Sequence, residues 1–136
     1  MKFIIKDLLD FFKEERKTLL STTPKSNDDY MREGTKNCEK RKRGSYTTIV
    51  LYDKEELIGW VMFDFYLSRN TIDTIRTYIY VKPCFRRQGY GTELLNKAKR
   101  EAKKINRIIR VCPHDNRSKA FFRKNNITKK EIVPGY

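Results

Sequence analysis

The segment that most limits the fold is residues 72–112, where the spacing of apolar residues changes twice. Residues 72–81 (IDTIRTYIYV) alternate as a strand does, the next apolar residues recur at helical spacing, and residues 107–112 (RIIRVC) again favour a strand. A helix that connects two strands of one sheet makes them parallel, because the chain returns to the end where the first strand began. The sequence therefore predicts a βαβ unit.

Two further strands are predicted before this unit, over residues 46–52 and 57–67. They are joined to each other and to the strand at 72–81 by the short segments DKEEL and SRNT, and such connections favour antiparallel neighbours. The predicted fold is therefore α/β, with a mixed sheet that is an antiparallel meander first and a parallel βαβ unit later, and with helices on both faces.

The remaining patterns predict shorter elements and one domain over residues 1–136. No repeat or change of composition indicates a second domain. The additional predicted elements are a strand at 2–6, helices at 7–20, 27–40 and 116–126, and a last strand within KKEIVPGY (129–136).

The chain is strongly basic, with 31 Lys and Arg against 17 Asp and Glu and a formal charge of +14. Such a surface attracts anions, including nucleic acids and phosphorylated ligands. Within residues 97–130 the only acidic residues are Glu101 and Asp115. We name the cations of this segment the basic face: Lys97, Lys99, Arg100, Lys103, Lys104, Arg107, Arg110, Arg117, Lys119, Arg123, Lys124, Lys129 and Lys130. It is either a solvated surface or a surface for a polyanion such as tRNA, the ribosome or DNA.

Three cysteines, Cys38, Cys84 and Cys112, form no CxxC pair, so the sequence supports neither a zinc site nor a redox motif, and no metal is predicted. Lys6 and Asp7 interrupt the first apolar run before it is long enough for a signal peptide. No apolar stretch approaches the roughly 20 residues of a transmembrane helix. We therefore expect a cytoplasmic protein with free thiols and no membrane contact.

The loop between the strand at 72–81 and the following helix reads Arg86-Arg87-Gln88-Gly89-Tyr90-Gly91. Free amides and the positive dipole end at a helix N-terminus bind phosphate, and glycines let an anion approach the backbone. Two other phosphate motifs are excluded, because GxGxxG would require glycine where Leu94 stands and the P-loop sequence GK[ST] is absent.

With this loop on its expected elements, the sequence resembles the GNAT superfamily of N-acetyltransferases. YVKPCFRRQGYGTELL (80–95) is similar to the acetyl-CoA signature [RQ]xxGx[GA], which follows a strand ending near V-x-P. VCPHDNRSKAFFRKNNI (111–127) is similar to the later strand–helix motif N…A..FYEKxGF. The signature is matched by Val81, Pro83, Arg86, Gly89 and Gly91.

The resemblance implies that acetyl-CoA is the cofactor, with 46–127 as its binding core and 1–45 as a variable N-terminal region. The pyrophosphate would bind the amides from Arg87 to Thr92, and the pantetheine arm would pair with Ile79–Val81, where family members splay two parallel strands apart. A backbone N–H near Val81 would hydrogen-bond the thioester oxygen. The implied cofactor-binding residues are Ile79, Tyr80, Val81, Arg86, Arg87, Gln88, Gly89, Tyr90, Gly91, Thr92 and Asn116.

Two departures from the family pattern concern proton transfer. Phe122 stands where many members have the tyrosine that protonates the departing thiolate, and Thr77 or Ile75 replaces the usual acidic residue. A phenyl ring cannot donate a proton, so we expect Phe122 to pack rather than react. Either other residues perform the acid–base chemistry, or the protein binds CoA without efficient catalysis.

The catalytic candidates are Tyr80, His114 and Asp73, and each has a plainer alternative. His114 has a side chain suited to accept a proton from an amine, or it is a solvated loop residue. Tyr80 and its neighbour Tyr78 either hold substrate and relay a proton or pack in the core. Asp73 and Asp64 are either bases or simply exposed carboxylates.

Three residues near the predicted cofactor have further alternatives. Asp115, in the register of the family's asparagine, and the adjacent Asn116 either contact the pantetheine or cap the following helix. Cys84 is expected to be a bystander near the thioester.

The acceptor is predicted to be a primary amine on a macromolecule or on a polyanion-associated substrate, such as a protein lysine or N-terminus or an aminoacyl-tRNA. The main alternative is a CoA- or nucleic-acid-binding module on the same fold, and an interaction protein using only the basic face would not need the loop. The short tail after the last helix leaves the family's final hairpin either truncated or completed by a partner chain in a homodimer.

Overall fold

A computed structural model describes residues 1–22, 43–65, 68 and 71–136 of the protein. Five strands in these residues form one sheet whose spatial order is the chain order. The first four pair antiparallel and the last pair is parallel, so the predicted mixed sheet is confirmed. The strands are β1 (Lys2–Asp7), β2 (Tyr46–Asp53), β3 (Glu56–Asp64), β4 (Thr74–Val81) and β5 (Ile108–Arg110).

The helices of the described part are α1 (Leu8–Thr22), α2 (Tyr90–Lys104) and α3 (Asn116–Lys124), and single 3-10 turns lie at Pro83–Phe85 and Lys129–Glu131. Helix α1 is interrupted by non-helical backbone angles at Glu15. Helix α2 connects β4 to β5, which confirms the predicted βαβ unit. The predicted helix at 27–40 lies outside the described residues.

Each face of the sheet has its own apolar core because strand residues alternate between the faces. On one face, Leu94 and Ala98 of α2 pack with Ile49 and Val61 of the sheet. On the other, Phe11 of α1 packs with a stack of aromatic rings in which the Trp60 and Tyr80 centroids are 4.5 Å apart. We name these the α2 face and the α1 face. They confirm the prediction of helices on both faces.

The prediction of a last strand within 129–136 is wrong. Thr128 and Glu131 form a capping box that closes a 3-10 turn, and the only pairing described beyond it is a single parallel bridge between Val111 and Ile132. Pro134 lacks an amide hydrogen and Gly135 has a φ of 95°, so the backbone leaves the extended conformation directly after the bridge. Among the described helices, none is long and apolar enough to cross a membrane.

Candidate functional site

Strands β4 and β5 separate soon after they pair. The described register joins Thr74 to Ile108, Ile75 to Ile109 and Arg76 to Arg110, yet β4 continues to Val81. The next residue of the β5 chain, Val111, directs its amide away from β4 and donates it to the Glu131 carbonyl at 2.8 Å. The result is a gap, by which we mean the space between residues 77–81 of β4 and residues 111–115.

Alternation of the backbone determines which polar groups face this gap. The Lys82 amide donates to the Ile58 carbonyl of β3 at 2.9 Å, whereas the Asp73 carbonyl accepts from Ile108 of β5 at 2.8 Å. Even-numbered residues of β4 therefore direct their amides and carbonyls to β3, and odd-numbered residues direct theirs to β5. The amide and carbonyl of Ile79 and the amide of Val81 thus face the gap, where an extended ligand with amide groups can pair with them.

The loop after β4 leads to an uncapped helix start. Arg87 and Gly89 have left-handed φ angles of 63° and 88°, and α2 begins at Tyr90 with Gly89 as an N-cap that makes no side-chain hydrogen bond. The first amides of a helix have no acceptor within the helix. The turn at Tyr90–Thr92 therefore presents backbone donors and the positive dipole end to an anion.

The two glycines of the loop are required for different reasons. A Cβ at Gly89 would meet no atom within 4 Å, so its left-handed φ is what favours glycine there. A Cβ at Gly91 would lie 3.1 Å from Cε2 of the Phe121 ring, so the absence of a side chain lets α2 approach α3 closely. Gly89 gives the loop its shape, and Gly91 gives the helix pair its spacing.

Arg86 connects the loop to the end of β4. Its Nε donates to the Val81 carbonyl at 2.8 Å, and its guanidinium carbon lies 5.5 Å from the centre of the Tyr80 ring. Sequence reasoning assigned Arg86 to the pyrophosphate through its charge, but the contacts described here fix the strand end. Arg87 is exposed, and the Gln88 amide donates to the Cys84 carbonyl at 3.2 Å within the same loop.

The residues at the usual acid and base positions are unreactive in this arrangement. Phe122 is 9% exposed and belongs to the core of the α2 face, with its ring centre 5.3 Å from that of Phe121, which confirms the packing role expected of it. Thr77 is 2% exposed, and its hydroxyl donates to the Ile75 carbonyl of its own strand at 2.9 Å.

The structure does not bring the three catalytic candidates together. Asp73 is exposed at the start of β4, about 26 Å from Val81 at the rise of an extended strand, and so lies at the wrong end for the gap. Tyr80 is 2% exposed on the α1 face. His114 is exposed in residues 111–115 bordering the gap, and its ring centre lies 5.1 Å from that of Tyr136.

The residues at the start of α3 resolve one open alternative. Asp115 is the N-cap, with its carboxylate accepting the Ser118 amide at 2.7 Å while the Ser118 hydroxyl accepts the Asp115 amide at 3.1 Å. The capping interpretation is therefore confirmed for Asp115. Asn116 is exposed in the first turn of α3.

Sequence reasoning missed a polar cluster that lies beside the gap on the α1 face. Asp64, only 4% exposed, is the direct cross-strand partner of Arg76. The Arg76 guanidinium is hydrogen-bonded to Tyr78, and its charge also acts on Cys112. We name Asp64, Arg76, Tyr78 and Cys112 the polar cluster. Asp64 and Tyr78 were considered separately from the sequence. Arg76 and Tyr78 are two residues apart on a predicted strand, and this spacing could have indicated that their side chains share a face of the sheet.

Burial dominates the titration of this cluster. It raises the pKa of the Tyr78 phenol well above the ordinary value, with Asp64 adding to the rise and Arg76 opposing it. Burial likewise raises the pKa of the Cys112 thiol, against the effect of Arg76. Both groups therefore hold their protons at neutral pH. No group of three or more metal-binding side chains occurs among the described residues.

Comparison with solved structures shows the same fold. A ribosomal-protein-alanine N-acetyltransferase from Brucella melitensis biovar Abortus 2308 is similar with a TM-score of 0.60 and 15% identity, over 90% of this chain and 88% of that one. A predicted acetyltransferase from Clostridium acetobutylicum, solved with acetyl-CoA, has a TM-score of 0.61 and 16% identity, over 99% of this chain and 92% of that one. Tetrahymena GCN5 has a TM-score of 0.61 and 18% identity, over 100% of this chain and 88% of that one.

At identities this low the structural similarity establishes the fold alone. No curated protein matches the sequence. A family model does: the one described as the acetyltransferase (GNAT) family matches residues 5–126, which include both the gap and the loop at the start of α2. The chain belongs to the GNAT acetyltransferase family.

Proposed function

We propose that the protein is an acetyl-CoA-dependent N-acetyltransferase that transfers an acetyl group to a primary amine. The observation that carries the proposal is the continuity of two binding features. The open edge of β4 at Ile79–Val81 leads, through a loop held by Arg86, to the uncapped start of α2. An amide-bearing arm joined to a pyrophosphate requires such an arrangement, so the residues present fit the cofactor of the family.

The chain would hold acetyl-CoA mainly through its backbone. Amides from Arg87 to Thr92 would bind the pyrophosphate, and Ile79 and Val81 would pair with the pantetheine arm. The Tyr80 backbone faces β3 and its ring lies in the α1 core, so we propose Ile79 and Val81 as the strand residues of β4 that pair with pantetheine. Asn116 and Gln88 remain proposed contacts.

When bound, the cofactor supplies an acetyl group activated as a thioester. A β4 amide facing the gap would hydrogen-bond the thioester oxygen and stabilise the charge that develops there. The buried side chains of Val111 and Phe122 exclude water from the α2 side. The gap would hold the thioester in a fixed orientation toward an incoming amine.

The acceptor amine is proposed to belong to a macromolecule, such as a protein or an aminoacyl-tRNA, or to a substrate bound to a polyanion. The support is the basic face, of which Arg100, Lys103, Arg123 and Lys124 are exposed. Acidic residues occupy part of this face, since Glu101 pairs with Lys97 at 3.1 Å and Lys104 at 2.8 Å. An anionic partner would bind the remaining cations.

The cellular setting is proposed from the cysteines. Cys84 and Cys112 are free thiols, as expected for a reducing, cytoplasmic location. The single domain over 1–136 and a homodimer both stay predictions.

A second candidate function is a CoA-binding module with little turnover. It is favoured by the buried phenyl ring of Phe122 and by Thr77, whose hydroxyl donates to a carbonyl of its own strand. Neither group can exchange a proton with substrate.

Labelled acetyl-CoA separates the two functions. The protein is incubated with it and a cell lysate, and the label in the protein, RNA and small-molecule fractions is measured. Gly89→Glu is the control, because it places bulk and negative charge at the pyrophosphate. Transfer by the wild type and none by the variant supports the enzyme. Binding without transfer supports the module, and no binding of CoA would refute both.

A further inference from the structure

Strand β3 contains an extra residue where it passes the end of β4. The register of β2 against β3 shifts between Leu51 and Tyr52, and the additional β3 residue at this shift is Ile58. The carbonyl of Ile58 still accepts the Lys82 amide from the β4 side at 2.9 Å. The residue directly after this bulge is Gly59.

Gly59 has no room for a side chain. A Cβ at this position would lie 2.3 Å from the Tyr80 carbonyl oxygen, 3.0 Å from the Val81 Cα and 3.2 Å from Cδ1 of Leu94. Cδ1 of Leu94 is the end of a side chain that can turn away, whereas the other two atoms belong to the backbone of β4. A glycine inside a strand often marks such a close approach of two backbones.

The atoms next to Gly59 belong to the peptide unit between Tyr80 and Val81. Tyr80 is the direct cross-strand partner of Trp60, so its carbonyl points toward β3. The carbonyl and the amide hydrogen of one trans peptide point in opposite directions in a common plane, so the Val81 amide points into the gap. A displacement of the Tyr80 carbonyl therefore changes the direction of the Val81 amide.

The following peptide unit, between Val81 and Lys82, is held from both sides. Its amide donates to the Ile58 carbonyl at 2.9 Å, and its carbonyl accepts from Nε of Arg86 at 2.8 Å. A strand end fixed in this way cannot move freely to make room for an added methyl group. The strain of a side chain at Gly59 must therefore be taken up largely by the Tyr80–Val81 peptide.

We propose that Gly59 is a positioning residue for cofactor binding: the close approach that it allows directs the Val81 amide toward the pantetheine arm. This inference rests on the proposed function, in which that amide pairs with the arm. It also predicts a selective defect. Toward α2, an added methyl group would meet only the movable end of Leu94, so the amides that bind the pyrophosphate keep their places.

The test compares CoA with adenosine 3′-phosphate 5′-diphosphate, a nucleotide that keeps the phosphates of CoA but lacks the pantetheine arm. We name the ratio of their affinities, measured by calorimetry, the arm advantage. In the wild type, the hydrogen bonds of the arm are expected to make CoA bind about tenfold tighter or more. Gly59→Ala is expected to reduce the arm advantage to about threefold or less, with an affinity for the nucleotide within about threefold of the wild type.

This ratio separates positioning from a loss of stability. Partial unfolding lowers both affinities by the same factor and leaves the arm advantage unchanged. If Gly59→Ala is partly unfolded, a saturating concentration of the nucleotide populates the folded form, and its displacement by CoA gives the same ratio. Ala102→Gly is the matched control, because it changes one buried methyl group in the last turn of α2, at the end far from the gap. It should lose stability and keep the arm advantage.

Val81→Pro tests the same amide without the added methyl group at Gly59. Proline removes the amide hydrogen that faces the gap, so this variant should show the same reduced arm advantage. Combining it with Gly59→Ala should reduce the arm advantage no further, because both changes act on one donor.

Three results would overturn the inference: an arm advantage that persists in Gly59→Ala, an equal loss of both ligands in that variant, or additive losses in the double variant. Failure of the wild type to bind CoA would instead contradict the proposed function.

Discussion

Replacing Gly89 with alanine tests whether the loop shape at the start of α2 is needed for cofactor binding. Gly89 has a φ of 88°, and a Cβ there would meet no atom within 4 Å. The substitution therefore adds backbone strain without a steric clash. For an L-residue in the left-handed region that strain is about 1–2 kcal/mol.

The strain must appear in one of two measurements. If the free protein keeps the left-handed angle, the free energy of unfolding falls by about 1–2 kcal/mol and the CoA affinity is unchanged. If the loop relaxes, the free energy of unfolding falls by less, but binding must restore the strained angle and the affinity drops by up to about 5- to 30-fold. The two losses together should equal the strain.

Gly44→Ala is a matched control, because Gly44 has a φ of 91°, also has open space around a built Cβ, and lies outside the gap and its loop. Urea denaturation and calorimetric titration with CoA are performed on both variants. Gly44→Ala is expected to lose stability and keep its CoA affinity. The reasoning is refuted if Gly89→Ala changes neither quantity, or if both variants lose CoA affinity equally.

Three further predictions concern the core, the strand end and alkaline pH. Phe122→Ala should lower the free energy of unfolding by about 3 kcal/mol in urea, because the ring fills the α2 core; a loss below about 1 kcal/mol would contradict that packing role. Arg86→Met should weaken CoA binding about tenfold in calorimetry, because it removes the hydrogen bond to the Val81 carbonyl. Arg86→Lys keeps the charge but not the geometry of the guanidinium, so it should bind CoA as weakly as Arg86→Met. Burial raises the pKa of Tyr78 and Tyr52 above 10.0, so the folded protein keeps protons that the unfolded chain releases. The contribution of these two protonated phenols to the free energy of unfolding is therefore complete below pH 10 and is lost as the pH rises above it. Tyr52→Phe should make that decline shallower in urea denaturation, and an unchanged decline would count against the assignment.

Much of the fold could be predicted because hydrophobic spacing reports which side of an element is buried. Alternation over 72–81 and helical spacing after Gly91 led directly to β4, α2 and the parallel pair. Element ends were less predictable: the pairing of β4 with β5 ends at Arg76 and Arg110, although β4 continues to Val81. That early end of the pairing has no local signature in the sequence.

The site was predictable where it depends on one continuous segment and not where it depends on register. The loop from Arg86 to Gly91 was correctly placed between strand and helix. The neighbourhood of Tyr78 and Cys112 depends on how β4 aligns with β5, a pairing made across the whole of α2. The position of Asp73, at the end of β4 opposite Val81, could not be predicted for the same reason, since being on the strand says nothing about which end of it meets the gap.

The separation of β4 from β5 also has a consequence for self-association. Residues 78–81 form a stretch of strand edge in the interior of a sheet, with the amide and carbonyl of Ile79 and the amide of Val81 directed at the gap. Such an edge is a template for any extended chain, whether a ligand arm or a segment of another protein. Acetyl-CoA would then serve this fold as a substitute strand, and its concentration would govern how long the edge stays open to unwanted β-pairing.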